Sequence, residues 1–222
     1  MLMKNTKQMS ETFRLGILLA IVGGFLDVYT YISRGQVFAN AQTGNMVLFG
    51  LNIAKGNLKY SIYYLIPILA FVIGVVISEV IKSKYRNNNH IHWRQIIVVI
   101  EIIILFIVGF VPSGNMDIIV NVAISFVCAM QVESFRKING NAFATTMCTG
   151  NLRSATEQLY HYNKTKEKKI LHKSIQYYGI ILFFILGAII GTITTNMFNE
   201  KAVLFCCVIL SVVFGIMFKE KL

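Results

Sequence analysis

Charged side chains are scarce in this sequence of 222 residues. Asp, Glu, Lys and Arg make up only 14% of it, against about 25% in an average soluble domain. Together with a mean hydropathy of +0.63, this scarcity argues against a soluble protein. The net charge of +11 is compatible with either a nucleic acid or a membrane as partner, and the distribution of the basic residues has to decide between them.

Residue patterns for metal binding and catalysis are also missing. The four cysteines all lie in apolar stretches, without metal-ligand or disulfide-framework spacing. The four histidines show no HExxH spacing, and no Gly-Lys-Ser/Thr loop for a nucleotide phosphate is present. We therefore expect neither an enzyme nor an ATP-driven pump, and no cofactor or metal.

Long apolar segments organise the chain, because a membrane-spanning helix needs about 20 predominantly apolar residues. Six segments are predicted to span: 15–33, 60–79, 95–112, 118–132, 174–199 and 202–218. The basic stretch 1–14 before the first of them imitates a secretory signal. Asp27 interrupts the path to the cleavage-like Ala39-Asn40-Ala41, which favours an uncleaved first span.

Two further uncharged segments, 35–54 and 138–152, are of a different kind, because Asn, Gln and Thr side chains crowd them. Such polar backbone is tolerated at membrane depth only where it is buried in protein or lines a wet cavity. These segments are therefore predicted to be re-entrant or broken.

Basic residues are enriched in cytoplasmic loops, and their distribution distinguishes two topologies. If both polar segments enter and leave on one side, 17 of the 21 Lys and Arg residues lie inside and four outside. If all eight segments span, the division is 12 to 8, with Arg153 inside a span. The sequence thus favours six spans, both termini in the cytoplasm, and no nucleic-acid partner. The basic run 161–173 is expected to form a cytoplasmic loop attracted to anionic lipid headgroups.

An internal repeat supports this organisation. Thr43-Gly44-Asn45 recurs as Thr149-Gly150-Asn151, and a Gly-x-x-Phe-Ala motif precedes each copy, at Gly35 and Gly140. In each half the polar segment follows one apolar span and precedes two more, so three crossings per copy would invert the second copy. The predicted fold is an all-α integral membrane protein with a single transmembrane domain over 1–222. Six transmembrane helices and two re-entrant or broken segments form two inverted-topology repeats, at about 15–112 and 117–218.

Discontinuous helices of such repeats meet near the membrane midplane, where their ends bind solutes or ions. We predict that meeting at the two Thr-Gly-Asn motifs. Asp27 is expected to face the interior or water, since lipid exposure would cost about 3 kcal/mol. Two interpretations of Asp27 stay open: a proton or cation site, or an acid that accepts hydrogen bonds from the backbone of the broken segment.

Four other polar residues are candidates either for this site or for contacts between helices. Glu133 precedes Thr149 by the same 16 residues that separate Asp27 from Thr43, although Arg136 beside it favours an ordinary salt bridge. Gln131 and Asn121 are expected to hydrogen-bond between helices, and Glu101 is a secondary candidate for a buried site. The predicted solute or ion site comprises Asp27, Thr43, Gly44, Asn45, Gln131, Glu133, Thr149, Gly150 and Asn151.

Two functions follow from these features. The first is a small-solute or ion permease with a midplane site at the paired Thr-Gly-Asn segments. The alternative is a non-transporting membrane protein that assembles with or stabilises a partner through faces of small residues, such as Gly187 with Gly191. The expected partners are the lipid bilayer and a second copy in a homo-oligomer.

The pattern Gly23-Gly24-x-x-Asp27, followed by Phe38-Ala39-Asn40-x-x-Thr43-Gly44-Asn45, resembles the YoaK family. These are bacterial integral membrane proteins grouped under a domain of unknown function. Gln131 and Thr149-Gly150 extend the resemblance to the second half, where Val132-Glu133 replaces the Asn-Ala pair common in the family. The resemblance implies a multi-pass protein of a bacterial cytoplasmic membrane and brings no activity with it.

Overall fold

The structure is a computed structural model that describes residues 12–86, 92–138, 141–143, 145–146 and 148–218. Three sequence predictions lie outside these residues: Gly140 and Ala144 of the second Gly-x-x-Phe-Ala motif, and the cytoplasmic position of both chain termini.

Within the described residues the chain is helical, as predicted. The α-helices are α1 (Phe13–Ser33), α2 (Gln42–Ala54), α3 (Leu58–Tyr85), α4 (Trp93–Val108), α5 (Asp117–Ser134), α6 (Cys148–Thr165), α7 (Lys168–Phe198) and α8 (Leu204–Phe218). A 3-10 turn, Asn199–Val203, joins α7 to α8. Two short antiparallel strands, β1 (Lys137–Ile138) and β2 (Asn141–Ala142), precede α6.

In the described part of the chain, four helical stretches are long and apolar enough to cross a membrane: Phe13–Ser33, Leu58–Tyr85, Asp117–Ser134 and Lys168–Met217. The last of them contains α7, the 3-10 turn and most of α8. The predicted third span extends too far, because the chain already turns after Val108 and Pro112 follows. α4 has 16 residues and α8 has 15, or about 24 and 22 Å of helix, against a hydrocarbon core of about 30 Å.

Close helix pairs hold the bundle together. α1 packs most extensively against α7, and α3 against α5. Glycines allow these approaches: a Cβ at Gly24 would collide with the Phe184 carbonyl oxygen, and one at Gly187 with the Ile21 carbonyl oxygen. Gly74 of α3 lies equally close to α5. Small residues thus let the backbones touch, as they do in other membrane helix pairs.

A buried apolar core connects α1, α4, α5 and α8, which meet at side chains such as Leu19, Phe25, Leu105, Ile124 and Leu210. The outer faces of α3 and α7 instead expose large aliphatic side chains: Leu69, Ile73, Val76, Leu182, Ile185 and Ile189. Helices that are apolar on all sides are typical of membrane spans, and this outer belt is the surface that lipid would cover.

After α1 the chain turns back before α2 begins. Residues 34–41 run back along α1, so that Asn40 reaches Gly23 and Asp27. α2 then leads to α3, where the Tyr63 hydroxyl donates to the Arg34 carbonyl oxygen at 3.0 Å. The start of α3 therefore lies level with the end of α1, whereas α2 begins beside the middle of α1.

The second polar segment takes a related course in the opposite direction. Thr146, just before α6, lies against the same Gly23 of α1. Near the middle of α6, the Ser174 hydroxyl of α7 donates to the Ala155 carbonyl oxygen at 2.8 Å. A few residues further on, Gly179 of α7 contacts Phe13 at the start of α1. α6 therefore begins beside the middle of α1 and extends toward the end of the bundle opposite to α2.

Candidate functional site

Asp27 holds the start of α2 in place. Its Oδ1 accepts hydrogen bonds from the backbone N–H groups of Asn40 at 2.7 Å and Ala41 at 3.4 Å. Ala41, the residue before the helix, has no side chain that caps it, so a distant carboxylate supplies the acceptor that an N-terminal helix end requires. These are the bonds expected if Asp27 serves as an acceptor for the broken segment. With 8% of its surface exposed, Asp27 also faces a cavity.

Three amides brace the chain around the Thr43-Gly44-Asn45 motif. The Asn40 Nδ2 donates to the Gly23 carbonyl oxygen at 2.9 Å, and the Gln42 Nε2 to that of Ala39 at 2.8 Å. Asn45 bonds both backbone groups of Phe38, accepting from its N–H at 3.2 Å and donating to its carbonyl at 2.7 Å. Asn45 is therefore occupied in fixing the loop, which makes the wall of the cavity rigid.

The second motif, Thr149-Gly150-Asn151, lies in the first turn of α6. Just before it, Thr145 and Thr146 are buried, and their hydroxyls have no hydrogen-bond partner in the part of the chain that the structure describes. A Cβ on Gly23 would come within 2.7 Å of the Thr146 methyl group. The glycine at position 23 thus lets the second segment approach α1 beside Asp27.

The two segments line an open cavity of about 870 Å³. Its walls come from α1, α2, α3, α7 and the start of α6, and are mostly apolar. The polar lining residues are Asp27, Tyr31, Asn40, Gln42, Thr43, Thr146, Cys148 and Thr149; among the apolar ones are Met46, Phe71, Val72, Phe184 and Ala188. Pockets of this size bind small organic ligands, with a few polar groups to orient them.

Four predicted site residues share the cavity: Asp27, Thr43, Thr149 and Gly150. Gly44 lines a smaller adjoining pocket of about 380 Å³. Asn45 and Asn151 are buried behind the lining. The Thr residues of the two motifs thus line one cavity.

Gln131 and Glu133 of α5 do not line this cavity. Gln131 is buried, and its Nε2 donates to the Leu19 carbonyl oxygen of α1 at 3.4 Å. Glu133 forms an ion pair with Arg136 at 3.0 Å, the ordinary salt bridge that its neighbours favour. Asn121 bonds the Arg34 carbonyl oxygen at 2.7 Å, an interhelical contact of the expected kind. These side chains therefore serve packing and pairing in this structure.

Sequence reasoning missed two groups of residues. The apolar wall residues come from α3 and α7, and no motif marks them, because only the packing of distant helices brings them together. The other is Arg34, which the charge count treats as an outside loop residue. It is fully buried, and its guanidinium contacts Asp117 Oδ1 at 3.2 Å, the Tyr29 hydroxyl at 2.8 Å and the Val111 carbonyl oxygen at 2.8 Å.

The small-residue faces are occupied within the chain. Gly187 and Gly191 of α7 lie against Ile21, Phe25 and Val28 of α1, and Gly74 lies against α5. These faces are therefore not exposed surfaces on which a partner protein could dock. A role in assembly would have to use other surfaces, and it stays a prediction.

Apolar helices of this length and two buried polar interruptions define a polytopic membrane protein. A family model described as "Protein of unknown function (DUF1275)" matches residues 15–216, and the chain belongs to this family. It is 27% identical over 217 residues to the "UPF0700 transmembrane protein YoaK" of Bacillus subtilis (strain 168), covering 92% of each chain. The sequence-based resemblance is thereby confirmed. No solved structure matches the chain.

Proposed function

We propose that this membrane protein is a permease for small amphipathic solutes, which bind in the cavity between the two Thr-Gly-Asn segments. The observation that carries the proposal is that one cavity is lined by both motifs, with the Asp27 carboxyl at its wall. In the described part of the chain its lining includes a carboxyl and several hydroxyls but no Lys or Arg. That chemistry suits neutral or cationic solutes and disfavours anions.

The helix contacts support an arrangement as two inverted repeats. α1 packs on α7 as α5 packs on α3, and α8 packs on α1 as α4 packs on α5. The counterparts of α1, α2, α3 and α4 are α5, α6, α7 and α8 in that order. If each helix is replaced by its counterpart, every one of these contact pairs becomes another pair that is also present. α2 and α6 also begin beside the middle of α1 and extend in opposite directions. In inverted-repeat transporters, such discontinuous helices form the solute site.

Six crossings and two re-entrant segments are the topology proposed here, in the cell membrane and with the termini in the cytoplasm. α4 and α8 would cross as short helices, which a bilayer accommodates by thinning locally at modest cost. The turn between α2 and α3 would lie outside, together with Lys55 and Lys59. The start of α6 would reach the cavity from the cytoplasmic side.

Labelling of single cysteines tests this topology. In a background with Cys148→Ser, cysteines at positions 55 and 59 should react with an impermeant maleimide added to intact cells, because both positions would lie outside. Cysteines at 86 and 164 should react only after the membrane is opened. All four positions are exposed in the structure. Reaction at 86 in intact cells, with protection of 55 and 59, would instead indicate eight crossings.

Uptake into liposomes tests the permease function. Purified full-length protein should admit the amphipathic cation benzyltrimethylammonium faster than protein-free liposomes do, and should exclude benzenesulfonate. Thr149→Trp places an indole in the cavity, and uptake should fall roughly tenfold, as a barrier higher by about 1.4 kcal/mol would produce.

Thr156→Trp is the matched control, because Thr156 lies two turns further along α6, exposed and outside the cavity. It should keep wild-type uptake. The permease function would be refuted if no probe entered faster than in empty liposomes. Equal uptake by the Thr149→Trp and wild-type proteins would show that the solute takes another route.

A further inference from the structure

Glu101 is a buried acid that the cavity does not use. It lies in α4 with 0% of its surface exposed. Neither of its carboxyl oxygens has a hydrogen-bond partner in the described part of the chain. Leu105, one turn further along α4, is also fully buried, in the apolar core shared by α1, α4, α5 and α8. A carboxyl in such a place stands out, since buried polar groups are almost always paired.

The groups that face Glu101 carry no compensating charge. On α8, the Cys207 thiol contacts the carbonyl oxygen of Ile102, the residue after Glu101, at 3.7 Å. Cys206 of α8 and Cys128 of α5 also lie within electrostatic range of the carboxyl. Thiols are weak hydrogen-bonding groups, and an unpaired carboxylate costs too much free energy in such a core. Glu101 is therefore held as the neutral, protonated acid in this conformation.

Polar side chains connect this acid to the cavity. Cys128 lies within hydrogen-bonding reach of the Asn40 side chain and within electrostatic range of Glu101. The Asn40 Oδ1 is buried and lacks a partner among the described residues, while the Asn40 backbone N–H donates to Asp27. Asn40 itself lines the cavity. The order from the core outward is Glu101, Cys128, Asn40 and then the cavity.

We propose that Glu101 is a proton-binding site that exchanges its proton with water in the cavity past Cys128 and Asn40. Release breaks the carboxyl O–H bond, leaves a carboxylate in the core and passes the proton to cavity water; rebinding reverses this, with no change of oxidation state. An ionised Glu101 destabilises the dry contact between α4 and α8, so release favours a conformation that hydrates the acid. In the permease proposed above this proton is the coupling ion, a step that rests on the proposed function.

Infrared spectroscopy of the full chain in lipid nanodiscs tests the site without any solute. The protonated acid should give a carboxylic C=O stretching band that shifts on transfer to D₂O, because its proton exchanges. Glu101→Gln should remove that component and Asp27→Asn should not. Glu157→Gln is the control, because Glu157 is exposed and lies 4.0 Å from His161, and it should leave the band intact.

Cys128→Val should keep the Glu101 band but slow its shift in D₂O by about tenfold, the effect of a barrier higher by about 1.4 kcal/mol. If Glu101→Gln does not fold, Glu101→Leu provides the same comparison. A band that survives both substitutions, or one that never shifts in D₂O, would overturn the proposal. Failure of solute uptake with the band intact and exchanging would refute the permease function and leave the proton site standing.

Discussion

Replacing Asp27 by leucine is expected to lower the free energy of unfolding by about 2–6 kcal/mol. The substitution leaves the N–H groups of Asn40 and Ala41 without their acceptor, and each unsatisfied buried donor costs about 1–3 kcal/mol. Thermal unfolding in detergent measures the loss. A maleimide dye that fluoresces on reaction with thiols can report it, since Cys128 and Cys206 are buried in the fold.

Asp27→Asn is the control for this experiment, because the amide keeps one oxygen that can accept from both N–H groups. Its stability should lie within about 1 kcal/mol of the wild type, the net value of an ordinary hydrogen bond. Stable Asp27→Asn protein that no longer prefers the cationic solute would separate the charge of Asp27 from its structural role. Wild-type stability of Asp27→Leu would contradict the capping of α2 by Asp27.

Arg34→Ala is expected to destabilise the fold by about 3–5 kcal/mol, the usual cost of removing one partner of a buried ion pair. The fully buried guanidinium joins the Asp117 carboxylate, whose side chain is 15% exposed, the Tyr29 hydroxyl and the Val111 carbonyl oxygen in one cluster. Without it these acceptors lose their donors at the junction between the two halves of the chain. The same dye assay should show a midpoint lower by roughly 10 °C.

Arg136→Ala is the comparison for Arg34→Ala. Arg136 also pairs with a carboxylate, Glu133, but 67% of its side chain is exposed. Exposed pairs contribute between 0 and about 1 kcal/mol, so this variant should unfold close to the wild-type temperature. Equal shifts for the two arginine variants would show that burial does not set the value of the Arg34 cluster.

Hydropathy predicted most of the helices but not where each one ends. The apolar runs that became α1, α3, α5 and α7 are long, and a helix is the structure that satisfies their backbone in lipid. The boundaries of α4 depend on the turn after Val108, which no hydropathy value marks. Polar composition distinguished segments 35–54 and 138–152 from the apolar spans, because only protein contacts or water can satisfy such side chains at membrane depth.

The sequence indicates where a side chain lies when its position along a helix determines this. It does not indicate the burial of a side chain when packing between distant segments determines that burial. Asp27 lies six residues before the end of α1 at Ser33, whereas Glu133 lies one residue before the end of α5 at Ser134. Equal spacing from the two Thr residues therefore does not give an equal position along the helix, and Glu133, with 12% of its side chain exposed, pairs with the exposed Arg136. Arg34 shows the opposite case: a charge just after a span is usually solvated, and only the junction of the α4–α5 loop with α1 buries it.

The first helix of each half packs on a helix of the other half, and this affects the order in which the protein folds. α1 is synthesised first, but the helix that covers its glycine face is α7, near the end of the chain. Contacts so distant in sequence form late, because the chain must close a long loop before they contribute stability. The Gly24 face of α1 therefore enters the membrane uncovered. Neither half can bury its own first helix, so folding is completed only after the last helices have been inserted.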